Sequence, residues 1–219
     1  MTIWHNMQKF KRIPKHIGVI PDGNRRWAVD NGLDKEAGYS HGVEPGVELY
    51  ELMIKYGIKE ATFYGFTKDN NKRPKSQRLA FTEACIKSVN SVANKDANIL
   101  VVGNTKSDLF PKELEPYANK RINFGEGKIN MNFLINYDWK SDLEAGVKNG
   151  DLKEIMSKDI SRMDLIIRWG ERRRLSGFLP IQSVYSDFYV VDKYWPDFKE
   201  EHFLDALSWY ENCDVTLGG

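Results

Sequence analysis

The sequence predicts an α/β fold, a mostly parallel central sheet of about six strands covered by helices. Short apolar, β-branched runs recur along the chain, amphipathic helical stripes fall between them, and polar, glycine-bearing segments directly follow several of the runs. In folds of this class ligands sit beyond the carboxyl ends of the strands, so those polar segments are the places to look for chemistry.

The first run covers residues 17–20 and carries no alternating polar residues, the pattern of a strand buried on both faces. Val43, Val47, Tyr50 and Ile54 then recur at helical spacing and are closed by Gly57, which predicts a helix. A second strand covers 61–66. Phe81, Cys85, Val89 and Val92 form a second stripe, predicting a helix from Ser76 to about Asn94. Runs at 99–102, 131–135, 165–167 and 188–191 supply the remaining strands. The stretch 119–128, rich in Gly, Asn and charge, reads as a surface loop.

With 219 residues, 41% of them hydrophobic, the chain is long enough to bury one substantial core, and no repeat or low-complexity linker divides it. A single domain over 1–219 is the expectation. The 32 basic and 31 acidic residues leave a net charge of +1, so there is no overall attraction to nucleic acid or to an anionic membrane, and any anion recognition must be local. Cys85 and Cys213 are too few for a disulfide scaffold and lack the spacing of a zinc site, which points to a reducing compartment, the cytoplasm. Residues 1–12 show no apolar run ahead of a small-residue cleavage site, and no stretch approaches the roughly 18 apolar residues of a membrane span. A soluble, untargeted protein is expected.

After the first strand comes Pro21-Asp22-Gly23-Asn24-Arg25-Arg26-Trp27, a glycine-bearing turn leading into a helix start. Backbone N–H groups there favour anions, arginines grip phosphate oxygens, and a lone aspartate suits Mg²⁺ bridged to a diphosphate. A plain Asp-Gly turn with solvated arginines is the competing reading. After the second strand, Thr67-Lys68-Asp69-Asn70-Asn71-Lys72-Arg73-Pro74 is again polar and basic, though alone it reads as a solvated loop. Residues 168–177, Arg168-Trp169-Gly170-Glu171-Arg172-Arg173-Arg174-Leu175-Ser176-Gly177, put four arginines within seven residues at a strand end, an anion cradle rather than a solvated face. Asp187 stands among aromatics and alone would more often be a helix cap. Such loops on one sheet edge imply a site for two polyanionic groups and a divalent cation, beside helices able to line an apolar cleft. A diphosphate head with a hydrocarbon tail matches both halves.

These residues resemble the signatures of the cis-prenyltransferases, the family of undecaprenyl diphosphate synthase. The likeness runs through 16–28, through Phe63-Tyr64-Gly65-Phe66 with Asn70, Arg73 and Pro74, and through Asp164-Leu165-Ile166-Ile167-Arg168 with Arg174-Leu175-Ser176-Gly177-Phe178-Leu179, ending in Tyr185 to Tyr189 and Trp195-Pro196-Asp197-Phe198. It implies an α/β sheet with a hydrophobic tunnel, usually in a homodimer, and a Mg²⁺-dependent prenyltransferase acting on isoprenoid diphosphates. By the resemblance, Asp22 holds Mg²⁺ and the leaving diphosphate, with Gly23, Asn24, Arg25, Arg26 and Trp27 around it. Asn70, with Thr67, Asn71 and Arg73, acts near the allylic diphosphate. Arg168, Arg174 and Ser176 take the diphosphate of the accepting substrate, and Asp187 stands where the family usually has a metal-binding glutamate.

The chain also departs from the pattern. Tyr39 replaces a histidine near the phosphate site, Asn71 replaces a tryptophan, and Asp187 is one methylene shorter than glutamate. Thr216-Leu217-Gly218 lacks the arginine of the usual tail, and Asp138-Trp139-Lys140 follows Asn136-Tyr137 where two glycines and an arginine are usual. The implied activity is a short-chain condensation, by head-to-tail addition, head-to-middle coupling of the lavandulyl type, or both. The alternatives are a non-catalytic subunit that stabilises a partner and a phosphohydrolase using Asp22, for which Asn24 stands where a second acid is needed. Nucleic acid is not an expected partner, and peripheral membrane contact is not required.

Overall fold

The computed structural model describes residues 8–93, 95–150 and 155–214. Its strands are β1 (His16–Ile20), β2 (Glu60–Tyr64), β3 (Ala97–Val102), β4 (Ile122–Asn123), β5 (Ile129–Leu134), β6 (Leu165–Trp169) and β7 (Asp187–Val191). They form one seven-stranded sheet in the order β4-β3-β5-β2-β1-β6-β7. Every neighbouring pair is parallel except β3 with β4. The parallel α/β expectation holds, with one strand more. The stretch read as a surface loop contains β4, whose two residues pair with Asn98 and Ile99 at the sheet edge.

The helices are α1 (Asn24–Asp30), α2 (Ala37–His41), α3 (Val43–Lys55), α4 (Lys75–Val92), α5 (Trp139–Asn149) and α6 (Glu200–Glu211). The helix expected from Ser76 runs from Lys75 to Val92, because Ala93 has extended backbone; Asn94 lies outside the described residues. So does the tail at 216–218.

Side chains alternate across each strand, and here both faces are covered. Ile17, Val19, Ala61, Phe63, Met131, Phe133, Leu165 and Ile167 face one way, into a core completed by Leu49 and Met53 of α3, Val89 of α4 and Phe203 and Leu207 of α6. Ile20, Leu100, Leu134 and Ile166 face the other way, against Ile160, Met163, Phe178 and Leu179 from the chain flanking β6. Double burial is why the strands read as continuous apolar runs in the sequence.

The chain goes from β1 to β2 on one side, while β6 and β7 add on the other. The sheet order therefore reverses at β1, and a crevice opens beyond the carboxyl ends of β2, β1 and β6, the usual ligand position in such sheets.

Candidate active site

A cleft of about 750 Å³ occupies that crevice. Of the residues singled out in the sequence, all but Trp27, Asn71 and Asp187 line it. β1 delivers Asp22 two residues past its end, and β6 delivers Arg168 within its last turn of ladder, level with Ile20. The Asp22 carboxylate accepts from Arg168 Nη2 at 2.8 Å and from the backbone N–H of Gly23 at 2.6 Å, and it lies 3.8 Å from Arg26 Nη2. Arg168 is 4% exposed and also donates to Ser176 Oγ at 3.1 Å and to the carbonyl of Arg174. Its Nε is buried without a partner. One buried guanidinium thus folds the arginine-rich loop over the end of β6 and holds Asp22 by the same group.

Arg26 donates to the carbonyl of Gly170 at 2.7 Å, pairs with Glu171 at 3.5 Å and lies over the Tyr194 ring at 5.0 Å. Gly170 has φ 85°, and a Cβ there would meet Arg26 Nη2 at 2.7 Å and the Asp22 backbone at 3.0 Å. Only a glycine lets the loops after β1 and β6 approach this closely. On the far wall, Asn70 Oδ1 accepts from Thr67 N–H at 3.0 Å, capping the short 3₁₀ turn Lys68–Lys72. Arg73 follows and donates to the Tyr39 hydroxyl at 3.0 Å. Burial pulls the Arg73 guanidinium below its ordinary pKa, opposed by Tyr39, and raises the Tyr39 hydroxyl. Arg25 reaches Gln77 of α4 at 3.3 Å across the cleft mouth.

Beneath the cleft lies an apolar cavity of about 70 Å³, lined by Phe63, Phe81, Cys85, Met131, Phe133 and Ile135 among others. Cleft and cavity share Pro21, Asn24, Tyr39, Tyr64, Gly65 and Phe81. Burial pushes the Cys85 thiol up to about 12, so the thiol is a neutral wall atom. The polar and apolar halves inferred from the loops and helices are thus contiguous.

Three assignments need correction. Trp27 faces away from the cleft: its indole donates to Asp197 at 2.7 Å and packs on His41 at 4.6 Å, tying α1 to the turn at Trp195–Asp197. Asn71 does not line the cleft, since the 3₁₀ turn rotates it off that face; its carbonyl accepts from Arg78 at 3.3 Å. Asp187 opens β7 level with Leu165, three ladder steps or roughly 10 Å before the end of β6 where Arg168 lies. Its charge acts on Tyr210 and Cys213, and it does not line the cleft that holds Asp22. Conversely, Tyr64, Asp69, Arg172 and Tyr194 line the cleft without having been assigned a role. Tyr64 had a signal, its place in the Phe63-Tyr64-Gly65-Phe66 run of the resemblance; its hydroxyl donates to the Ser176 carbonyl at 2.7 Å and braces the arginine loop.

A family model described as "Putative undecaprenyl diphosphate synthase" matches residues 20–218. The chain is 30% identical to an isoprenyl transferase of Fusobacterium nucleatum subsp. nucleatum, over 95% of this chain and 97% of that protein. A Clostridium tetani isoprenyl transferase is 32% identical over 94% and 90%. A ditrans,polycis-undecaprenyl-diphosphate synthase, (2E,6E)-farnesyl-diphosphate specific, of Aliivibrio fischeri is 29% identical over 94% and 89%. The fold is similar to that of the lavandulyl diphosphate synthase of Lavandula x intermedia solved with dimethylallyl diphosphate, at TM-score 0.80 and 23% identity, covering 94% of this chain and 99% of that one.

Proposed function

The chain belongs to the undecaprenyl diphosphate synthase family of prenyltransferases, and from that premise we propose that it condenses an allylic isoprenoid diphosphate with isopentenyl or dimethylallyl diphosphate, releasing diphosphate and forming a short prenyl diphosphate. The observation that carries this reading is contiguity: a cleft rich in arginine opens straight onto an apolar cavity through shared walls. A charged head and a hydrocarbon tail on one molecule satisfy both.

The chemistry follows from the charges. Breaking the allylic C–O bond leaves a delocalised carbocation and a diphosphate leaving group, and stabilising the developing charge on that group lowers the barrier. Arg26 and Arg73, on opposite walls of the cleft, supply positive charge there. Arg168, Arg174 and Ser176 hold the diphosphate of the acceptor so that its double bond faces the cation. Attack forms the new C–C bond, loss of a proton restores neutrality at carbon, and the apolar walls keep water from the cation. Whether carbon joins head to tail, head to middle or both depends on how the acceptor double bond is presented.

Mg²⁺ fits this donor set as a substrate-completed ion. Among the described residues no group of three or more His, Cys, Asp or Glu converges as a metal cage. Asp22, 36% exposed at the cleft, offers a single carboxylate, which suits an ion that keeps water and draws its remaining ligands from phosphates. Bound there, Mg²⁺ would neutralise the leaving diphosphate. Asp22 would hold the ion, while Arg168 and Ser176 beside it would bind the acceptor's diphosphate.

The chain as a homodimer fits the edge of β7, which no strand of the described residues covers and which Val184 and Tyr185 flank, 66% and 56% exposed. Sedimentation velocity would test it. No helix of the described residues is long and apolar enough to cross a membrane, and two free cysteines suit the cytoplasm. Treating the whole of 1–219 as one catalytic domain agrees with a family match over most of its length.

The test is product identity. With Mg²⁺ and dimethylallyl, geranyl or farnesyl diphosphate, each with and without isopentenyl diphosphate, dephosphorylated alcohols are analysed by mass spectrometry against head-to-tail and lavandulyl-type standards. Condensed alcohols support the reading. No condensed alcohol from any pairing overturns it in favour of a non-catalytic subunit.

A further inference from the structure

The arginine-rich loop after β6 has a costly backbone: Gly170, Glu171, Ser176, Gly177 and Leu179 all have positive φ. Residues other than glycine persist in that region only where their surroundings fix them. Ser176 and Gly177 occupy it in succession, at 56° and 81°. We infer that Trp139, the first residue of α5, is a positioning residue that holds this turn in the shape that presents Ser176 to the acceptor's diphosphate; this rests on the reading that Arg168 and Ser176 take that diphosphate.

Several groups hold the turn. The Tyr64 hydroxyl donates to the Ser176 carbonyl at 2.7 Å, Arg168 donates to the Ser176 hydroxyl at 3.1 Å, and Phe178, the next residue after the turn, is fully buried. The indole of Trp139 lies against Gly177, where a Cβ would overlap Cδ1 of the ring and come 2.9 Å from its Nε1. Gly177 is thus required twice, for its φ and for the approach of the ring. Tyr64, Arg168 and Ser176 line the cleft, whereas Trp139 does not. It braces the turn from outside, where no ligand displaces it. The ring stays 37% exposed, with the Lys140 ammonium 5.7 Å from its centroid, so core burial does not account for its place.

The residues before Trp139 fix it relative to the opposite wall of the cleft. Asp138 caps α5, accepting from the Lys140 N–H at 3.3 Å and the Ser141 hydroxyl at 2.8 Å, and the same carboxylate pairs at 2.9 Å with Lys68, which opens the turn bearing Asn70. The backbone repeats the link: the Lys68 N–H donates to the Tyr137 carbonyl at 3.1 Å and the Tyr137 N–H to the Phe66 carbonyl at 3.2 Å. Tyr137 is itself buried, its hydroxyl donating to Asp142 at 2.8 Å. Three consecutive residues therefore anchor in the core, grip the turn bearing Asn70 and seat Gly177. The spacing between the two anion-binding loops passes through them. Coupling two substrates is sensitive to that spacing, since a misplacement of about 1 Å can cost about 10²-fold in rate.

The test uses the full chain with Trp139→Ala, Trp139→Leu and Trp139→Phe, circular dichroism verifying that each folds. Leucine keeps the position apolar if alanine proves too disruptive, and phenylalanine keeps a ring on Gly177. Titration calorimetry with Mg²⁺ gives the affinity for unreactive dimethylallyl thiolodiphosphate, then for isopentenyl diphosphate added to protein that carries an equimolar amount of that analogue. Alanine and leucine should weaken isopentenyl diphosphate about tenfold, the loss of about one charge-assisted hydrogen bond, while the dimethylallyl analogue binds as in wild type. Phenylalanine should restore most of the loss. Where condensation is measurable, the Michaelis constant for isopentenyl diphosphate should rise with that for the allylic substrate unmoved. Equal weakening of both ligands, or a lower thermal midpoint with isopentenyl diphosphate bound as before, would make Trp139 a structural cover and overturn the inference. If wild type binds isopentenyl diphosphate but condenses nothing, the proposed function fails while the affinity ratio still decides the role of Trp139. A wild type that does not bind isopentenyl diphosphate overturns both.

Discussion

Two polar clusters sit at opposite ends of the same strands, and they are built on opposite terms. At the amino ends, His16, Glu60, Thr62 and Asn132 are buried on one face of the sheet. His16 bonds Thr62 at 2.8 Å and Ser161 at 3.0 Å, Asn132 donates to Glu60 at 2.7 Å and to Thr62 at 2.9 Å, and Ser161 donates to the other Glu60 oxygen at 2.7 Å. Only Asn132 Oδ1 lacks a partner in that group. At the carboxyl ends, Asp22 faces Arg26 and Arg168 across a cleft that also holds Arg25, Arg73, Arg172 and Arg174. The first cluster spends its hydrogen bonds on itself. The second carries cationic groups in excess of its anions and arrays them along an open cleft. A closed network specifies structure, whereas an open, charge-imbalanced one is complementary to something not yet bound.

The comparison breaks most visibly at Asp22. Asp22→Ala should lower turnover by about 10²-fold or more with the fold retained by circular dichroism, although the buried Arg168 loses its carboxylate partner and some thermal stability goes with it. Near-normal turnover in saturating Mg²⁺ would remove Asp22 from the reaction, and EDTA should mimic the variant. Next comes Arg168→Ala. Losing charge-assisted bonds worth roughly 1.5–3 kcal/mol should raise the Michaelis constant for the accepting diphosphate about 10- to 100-fold. An unchanged constant would leave Arg168 as a brace for the arginine loop alone.

At the other cluster the effects should appear in stability rather than kinetics. Thr62→Val strips Oγ1 from both His16 and Asn132 and should cost about 1–3 kcal/mol in denaturant unfolding, with kcat unaltered. A neutral outcome would show that the network relaxes around the loss. The His16 imidazole is held below its ordinary pKa of 6.5 by burial, with Glu60 opposing. The unfolded chain therefore binds the proton more readily, so this contribution is complete above about pH 6.5 and is lost as pH falls toward the folded-state value. Thermal midpoints should drop on acidification below that pH, and His16→Gln should flatten the slope; an equal slope in the variant would assign the acid sensitivity to other groups. The smallest effect is expected at Arg173, which is exposed and outside the cleft: Arg173→Ala should change stability by less than about 0.5 kcal/mol and leave substrate binding alone. A large loss would extend the anion site beyond its present wall.

The two ends were not equally legible. Strands buried on both faces announce themselves as apolar runs, and β1, β2, β3, β5, β6 and β7 were each visible to within a few residues. β4 was not, because Ile122 and Asn123 pair only through the edge of β3 within a stretch of turn-forming residues. The cleft residues could be read because they directly follow strands. Their pairing could not: Asp22 and Arg168 are 146 positions apart and meet only because β1 and β6 are neighbours. Asp187 failed for the same reason in reverse, since its identity says nothing of the strand end it occupies. A stack of Tyr39 on Phe81 joins a five-residue helix to α4, and so short a helix leaves no periodic trace.

Release of inorganic diphosphate under single turnover tests the central claim most directly, with wild-type protein and Mg²⁺ offered dimethylallyl diphosphate alone, isopentenyl diphosphate alone, or both. A cleft that binds two diphosphates and couples their carbons should release diphosphate only as a condensed product forms, from both substrates together or from dimethylallyl diphosphate serving as donor and acceptor, and never from isopentenyl diphosphate alone, with one new carbon–carbon bond per diphosphate. Release at the same rate from the allylic substrate alone, with no condensed product, would make Asp22 part of a hydrolase and contradict the account.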